Sequence, residues 1–203
     1  MNPLNSVAGA ITTGVIAALL VIVIVLAVGG TPAAFNGLGL ARWIHILSGI
    51  TWIGLLYYFN LVQTPALAVA AADKGGPGAA GVTKYIAPRA LFWFRWGAVA
   101  TWLTGLWYLG SARTLGSAVT LGHGGQDHYG LVIGIGAWLG TIMLLNVWGI
   151  IWPSQKKILG IVPATDAEKA TARKAAGMAS RINFVLSIPL ILCMGSASHS
   201  LPF

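Results

Sequence analysis

Four histidines are the residues of this sequence best suited to chemistry: His45, His123, His128 and His199. Neutral imidazole is the commonest protein ligand for haem iron, copper and zinc. The single cysteine, Cys193, excludes a disulfide or a thiolate cluster within the chain, and no CxxCH motif is present for covalent haem. A metal or haem site would therefore depend on the histidines.

His45 is the first candidate ligand because it lies in the first turn of a predicted membrane span, where an ionisable group is a functional hypothesis by default. Gly49 follows one turn later on the same face, which leaves room for a macrocycle or a neighbouring helix. His128 adjoins another span, and His199 lies in the C-terminal tail. We expect His45 to bind haem iron or copper, with His199 or His128 as the second ligand. The alternative is that these histidines merely occupy the membrane interface.

A second polar set is predicted toward the opposite ends of the spans. Its members are Asn60, Gln63, Arg95, Asn146, Arg181 and Asn183. Buried amides and guanidinium groups need partners, so we expect a structural network that holds the helices together. The functional alternative is an anion or quinone head-group site formed by Arg95, Asn60, Asn146 and Asn183, with Arg95 as the charge. Arg95 could also extend to the inner interface.

The elements that position these residues are membrane helices. The 203 residues are 57% hydrophobic and only 8% charged, whereas a soluble domain carries about 25% charged residues. Five apolar segments approach the ~20 residues that a helix needs to cross a bilayer. They are residues 8–28, 43–62, 91–109, 129–152 and 182–196. We predict an all-α integral membrane bundle of about five transmembrane helices, as a single membrane domain over residues 1–203.

Details of the spans refine this prediction. The first six residues contain no Lys or Arg, so the first span is expected to be a retained helix and not a signal peptide. Gly130/Gly134 and Gly136/Gly140 have the GxxxG spacing that predicts close helix packing. The last span contains Pro189 and is expected to be kinked or sheltered by neighbours.

Loop charge predicts the orientation. The loops after the second and fourth spans carry nine cations, against two in the loops on the other side. The positive-inside rule then places the N-terminus in the cytoplasm and the C-terminus in the periplasm of a bacterial inner membrane, with all four histidines on the outer side. The net charge of +8 belongs to these loops, and no nucleic-acid partner is expected.

The longer basic loop predicts a helix of its own. Thr165-Asp166-Ala167-Glu168 fits a capping box, and the cations toward residue 181 suit the end of a helix. We expect a cytoplasmic interfacial helix from about Asp166 to Ser180 that lies along the membrane surface.

Three pieces of the sequence resemble the membrane domain of bacterial urate hydroxylases, the membrane-bound urate oxidase family. The second span contains Arg42-Trp43-Ile44-His45 and continues through Trp52 to Gly54. The third contains Leu91-Phe92-Trp93-Phe94-Arg95-Trp96 and Thr101-Trp102-Leu103-Thr104-Gly105. The last piece runs from Ala179-Ser180-Arg181-Ile182-Asn183 to Ser198-His199. His45 and His199 match family histidines. Members often carry a cytochrome c domain on the outer face, and this sequence resembles a short form that lacks it.

The resemblance implies a redox protein. We expect a membrane electron-transfer subunit that binds haem b, or copper in its place, near the outer face. Its expected partners are the lipid bilayer and either other membrane subunits or a periplasmic cytochrome c. The alternative is a helical accessory subunit without a cofactor, in a larger respiratory, photosynthetic or monooxygenase complex. A transporter is disfavoured because one basic residue and no acid lie within the predicted spans.

Overall fold

The protein is all-α, as predicted. The computed structural model, which describes residues 2–30 and 34–202, is 84% helical, and these residues form no strand. The chain divides into two compact units, residues 1–36 and 37–203.

The first unit consists of helix α1, Val7–Gly29, preceded by a short 3₁₀ turn at Pro3–Asn5. The Ser6 hydroxyl caps α1 by accepting a hydrogen bond from the Gly9 amide at 3.0 Å. Gly30 ends it in a left-handed conformation, φ 60°, which glycine adopts without strain. No residue of α1 is buried, and its continuous apolar sequence is suited to lipid contact along all sides.

The second unit contains four long helices and one short one. They are α2, Gly37–Ala72; α3, Ala87–Ser111; α4, Leu115–Val119; α5, His128–Ile158; and α6, Asp166–Ser196. Helix α2 packs mainly on α3, and α5 packs mainly on α6. The buried core joins all four long helices and is centred on Leu56, Phe94, Met143 and Leu190.

Prolines explain three π-helical turns in this unit. The turns at Tyr58–Gln63, Val82–Ile86 and Val147–Ile151 each precede a proline in the first turn of the next helical segment, namely Pro65, Pro88 and Pro153. Proline lacks an N–H and its ring crowds the carbonyl four residues back, so a wider turn accommodates it. Helices α2 and α5 therefore continue through their prolines.

Four helices are long and apolar enough to cross a membrane: α1, α2, α5 and α6. The chain is therefore a membrane protein. The predicted third span, residues 91–109, does form a helix of 25 residues, α3. Helix α3 is not one of the four helices that qualify by length and composition, so its crossing of the bilayer stays a prediction.

The predicted interfacial helix was wrong as a separate element. Residues 166–180 and the predicted last span form one continuous helix, α6, of 31 residues. The capping box at Thr165 and Glu168 does begin it, as expected. Its buried residues follow one stripe: Ala172, Ala176, Ala179, Asn183, Ser187, Leu190, Cys193 and Ser196. Because the stripe runs without a break, α5 can hold both parts in one helix.

The two GxxxG pairs pack against different helices. Gly136 lies against Cys193 and Met194 of α6, as predicted. A side chain at Gly130 or Gly134 would instead overlap Ser117 or the Ala118 carbonyl. The loop between α3 and α5 thus folds back along α5, and the Trp138 indole donates to the Val119 carbonyl at 3.2 Å. Gly130 and Gly134 thus accommodate the short helix α4, a partner that their spacing alone did not reveal.

Candidate functional site

The candidate site is built around His45, where α2 meets α3. The two helices are antiparallel here, since Trp52 of α2 packs on Gly97 of α3 while His45, nearer the start of α2, packs on Gly105. The His45 ring is half-buried. A Cβ on Gly105 would lie 3.1 Å from His45 Cε1, so the absence of a side chain there lets the ring enter the interface.

One hydrogen bond defines which nitrogen of His45 carries the proton. His45 Nδ1 lies 2.8 Å from the backbone carbonyl oxygen of Thr101. A carbonyl can only accept, so Nδ1–H donates. In the neutral ring Nε2 is then unprotonated, and its lone pair is available to a metal ion. This is the arrangement typical of metal-bound histidines, whose second nitrogen donates to a carbonyl or carboxylate.

Two threonines of α3 surround this bond. The buried Thr101 hydroxyl donates to the Gly97 carbonyl at 2.7 Å, and the Thr104 hydroxyl donates to the Ala100 carbonyl at 2.6 Å. Thr104 Oγ1 also lies 3.1 Å from the Thr101 oxygen that receives the imidazole proton. Sequence reasoning quoted Thr101, Thr104 and Gly105 within the family resemblance but assigned them no role. Their i, i+3 and i+4 spacing on one helical face was the available signal.

Gly49 faces the neighbouring helix α3. A Cβ on Gly49 would lie 3.8 Å from Thr101 Cγ2, an ordinary van der Waals contact. The glycine thus contributes to helix packing, and its use by a macrocycle stays a prediction.

A polar and aromatic cluster lies one turn from His45 toward the start of α2. Arg42 lies over the Tyr108 ring, 5.7 Å from its centroid. The Tyr129 side chain, from the first turn of α5, interacts with the side chains of Tyr108 and Thr114. It also interacts electrostatically with Arg42. The cluster joins three helices and the loop after α3, and the sequence analysis had not identified it. The tyrosines carried no distinguishing local pattern.

The other histidines are exposed and lie toward the same end of the second unit as His45. His128 begins α5 and His199 follows α6, and these two helices are antiparallel because Gly136 lies against Cys193. His123 lies in a left-handed turn, Leu121–Gly125, with φ 53°, and its Nδ1 is 3.3 Å from the Thr120 hydroxyl. Among residues 2–30 and 34–202, no group of three or more His, Cys, Asp or Glu side chains could hold a metal ion. A bis-histidine haem site needs only two such side chains, and it stays a prediction.

Asp127 stabilises the loop beside these histidines. Its carboxylate accepts a hydrogen bond of 2.5 Å from the Ser117 hydroxyl. This bond, followed by the amides of Gly130 and Tyr129 and the electrostatic influence of His123, lowers the pKa of Asp127 below its ordinary value. The loop thus holds a charged carboxylate at the start of α5, where the helix dipole favours it.

The second polar set is divided between two places. Asn183, fully buried, donates to the Met143 carbonyl at 3.0 Å and accepts from Asn146 Nδ2 at 3.0 Å. Asn60 Nδ2 donates to the Leu56 carbonyl at 2.8 Å and the Ser180 hydroxyl at 3.0 Å. The asparagines therefore link α2 and α5 to α6, as expected of a structural network.

Arg95 makes different contacts from the asparagines. Its guanidinium carbon lies 3.9 Å from the centroid of the Trp152 ring and 5.3 Å from that of Phe92. Stacking on an indole stabilises a guanidinium group without a carboxylate. No hydrogen bond between Arg95 and Asn60, Asn146 or Asn183 is present in the described part of the chain, and an anion site at Arg95 stays a prediction.

Comparison with known protein families supports the resemblance seen in the sequence. The family described as urate oxidase N-terminal matches residues 126–203, which comprise α5, α6 and the tail with His199. No curated protein and no solved structure gave a match. The match includes His128, Asn146, Asn183 and His199 but not His45. Residues 126–203, which make up less than half of the chain, are thus similar to the urate oxidase N-terminal family.

Proposed function

We propose that this chain is a membrane redox subunit, related to urate hydroxylase membrane domains, that holds haem b through Nε2 of His45. The observation that carries the proposal is the 2.8 Å bond from His45 Nδ1–H to the Thr101 carbonyl. It leaves the ligating nitrogen unprotonated, and the accepting carbonyl makes the imidazole a better electron donor to a metal.

The residues present fit such a group on one side. His45 supplies one axial nitrogen, and His199 or His128 would supply the second, since all three lie toward the same end of the second unit. Arg42, one turn from His45, is the cation that a propionate carboxylate would favour. When bound, haem b would supply reversible one-electron transfer. Copper is the alternative cofactor because the same neutral imidazoles bind it.

The proposal includes an orientation. The basic loops would face the cytoplasm of a bacterial inner membrane, and the histidine end would face the periplasm. The electron partner would then be another membrane subunit or a periplasmic cytochrome c.

A visible spectrum of the purified protein, reduced minus oxidised, tests the proposal. We expect the bands of a b-type haem in the wild type and their loss in His45→Ala. His123→Ala is the matched control, since His123 is exposed and its Nδ1 lies beside the nearby Thr120 hydroxyl; its spectrum should be unchanged. Circular dichroism would verify that both variants stay folded.

Two results would contradict the proposal: a wild type without haem or copper, or a His45→Ala variant with an unchanged spectrum. The alternative, a cofactor-free accessory subunit, would then be favoured. The observation on its side is that the His45 ring already has a structural use, because it fills the gap over Gly105 and joins α2 to α3.

A further inference from the structure

A second surface feature lies far along the chain from His45, at the other end of the long helices. A groove of about 460 Å³ opens between the segment before α3 and the end of α5. Its lining residues are Ala80, Thr83, Lys84, Pro88, Ile158, Leu159 and Ile161. The walls are aliphatic apart from one hydroxyl and one ammonium group.

Lys84 is a cation without a neutralising partner in this groove. No carboxylate lines it. The contact described for the Lys84 ammonium is with the Tyr85 ring, 5.3 Å from its centroid. Over residues 2–30 and 34–202 the ion pair formed is the exposed one between Lys169 and Asp166. An anion at Lys84 would therefore meet an unopposed positive charge.

The groove lies at the ends of two long helices. Ile158 is the last residue of α5, which is long and apolar enough to cross a membrane, and Pro88 lies in the first turn of α3. Lysines at such ends extend their ammonium groups toward the headgroups while their stems stay in apolar surroundings.

A neighbouring groove serves as an internal comparison. It has about 400 Å³ and is lined by Lys157, but Glu168 lines it too. A carboxylate there repels an anionic headgroup. The Lys84 groove lacks this opposing charge, so it is the better anion site of the two.

We propose that the Lys84 groove binds one anionic phospholipid, with the phosphate at the Lys84 ammonium and an acyl chain along Ile158, Leu159 and Ile161. The phosphate would gain a charge-assisted contact, and the aliphatic walls would replace contacts with bulk lipid. This proposal is independent of the haem proposal, since it uses no residue of the His45 site.

The test uses the full chain in nanodiscs of phosphatidylcholine containing phosphatidylglycerol. Lipid retained after mild detergent extraction is counted by native mass spectrometry. We expect phosphatidylglycerol to be retained in preference to phosphatidylcholine, and Lys84→Gln to lower its retention about fivefold. Lys74→Gln is the matched control, because Lys74 is an exposed lysine before the groove and lines no part of it. It should retain phosphatidylglycerol like the wild type.

Ile161→Glu provides a second variant, with a carboxylate at an exposed wall position, and should reduce retention similarly. Equal losses in Lys84→Gln and Lys74→Gln would mean general surface attraction and would overturn the proposal. Displacement of the lipid by inorganic phosphate would also overturn it, since the site would then bind free phosphate. So would a wild type that retains both lipids equally, or a bound protein partner that covers the groove.

Discussion

The contact between His45 and Gly105 can be tested by adding one methyl group. In Gly105→Ala the new Cβ would lie 3.1 Å from His45 Cε1 and 3.3 Å from Nδ1. Both distances are shorter than a relaxed contact, so the ring must move by a few tenths of an ångström. The ring cannot move freely, because its Nδ1–H is bonded to the Thr101 carbonyl at 2.8 Å. The methyl group therefore strains the bond that defines the tautomer.

Two effects lower the free energy of unfolding of Gly105→Ala, and one raises it. Overpacking costs about 1–3 kcal/mol, and weakening a hydrogen bond costs up to about 0.5–1.5 kcal/mol. Replacing a helical glycine by alanine contributes about 0.5–1 kcal/mol of stability. Gly54→Ala isolates the last effect, because a Cβ on Gly54 in α2 would meet nothing within 4 Å. Because this control cancels the third effect and leaves the two costs, we expect Gly105→Ala to be about 1–4 kcal/mol less stable than Gly54→Ala.

The assay is unfolding in mixed micelles with increasing denaturing detergent, followed by far-ultraviolet circular dichroism. Nitrogen-15 spectra of labelled histidine provide the local readout, since the Nδ1–H form of His45 should be the wild-type tautomer and should be perturbed in Gly105→Ala alone. If both alanine variants are equally stable and the His45 signals are unaltered, the described packing of His45 on Gly105 is wrong.

Three further outcomes are expected. Gly134→Ala should lower the free energy of unfolding by about 1–3 kcal/mol, because its methyl group overlaps the Ala118 carbonyl. Gly116→Ala should not lower it, because its methyl group meets nothing within 4 Å. Detergent unfolding measures both variants. Asn183→Ala should cost about 1–3 kcal/mol, since it removes two hydrogen bonds and leaves partners unsatisfied; a cost near zero in the same assay would contradict the network. The pKa of Asp127 is lowered mainly by Ser117. The ionised Asp127 carboxylate should therefore stabilise the fold fully above its ordinary pKa of 3.8, and this stabilisation should be lost as pH falls through the lower folded pKa. Thermal unfolding against pH should show the loss in the wild type and not in Asp127→Asn.

Local sequence was sufficient to predict most of the long helices and the start of α6. Apolar runs of membrane-spanning length predicted α1, α2, α5 and the second half of α6. Length and apolarity suffice for a helix to be stable in a bilayer, whichever helices pack against it. The capping box at Thr165 was predicted because its two hydrogen bonds join residues three apart. His45 was identified as a candidate ligand because an ionisable group within an apolar run usually has a function.

Contacts between distant residues were decided only by the tertiary structure. The proton position on His45 depends on a carbonyl of α3, Thr101, that lies 56 residues away along the chain. The Asn146–Asn183 pair joins residues 37 apart. The sequence predicted that Arg95 belongs to the same network, whereas in the structure Arg95 stacks on Trp152. Sequence periodicity shows which residues share a helical face, but not which face it meets. That choice depends on packing between helices, and it determines both the lone pair that His45 presents and the glycines that accommodate the loop.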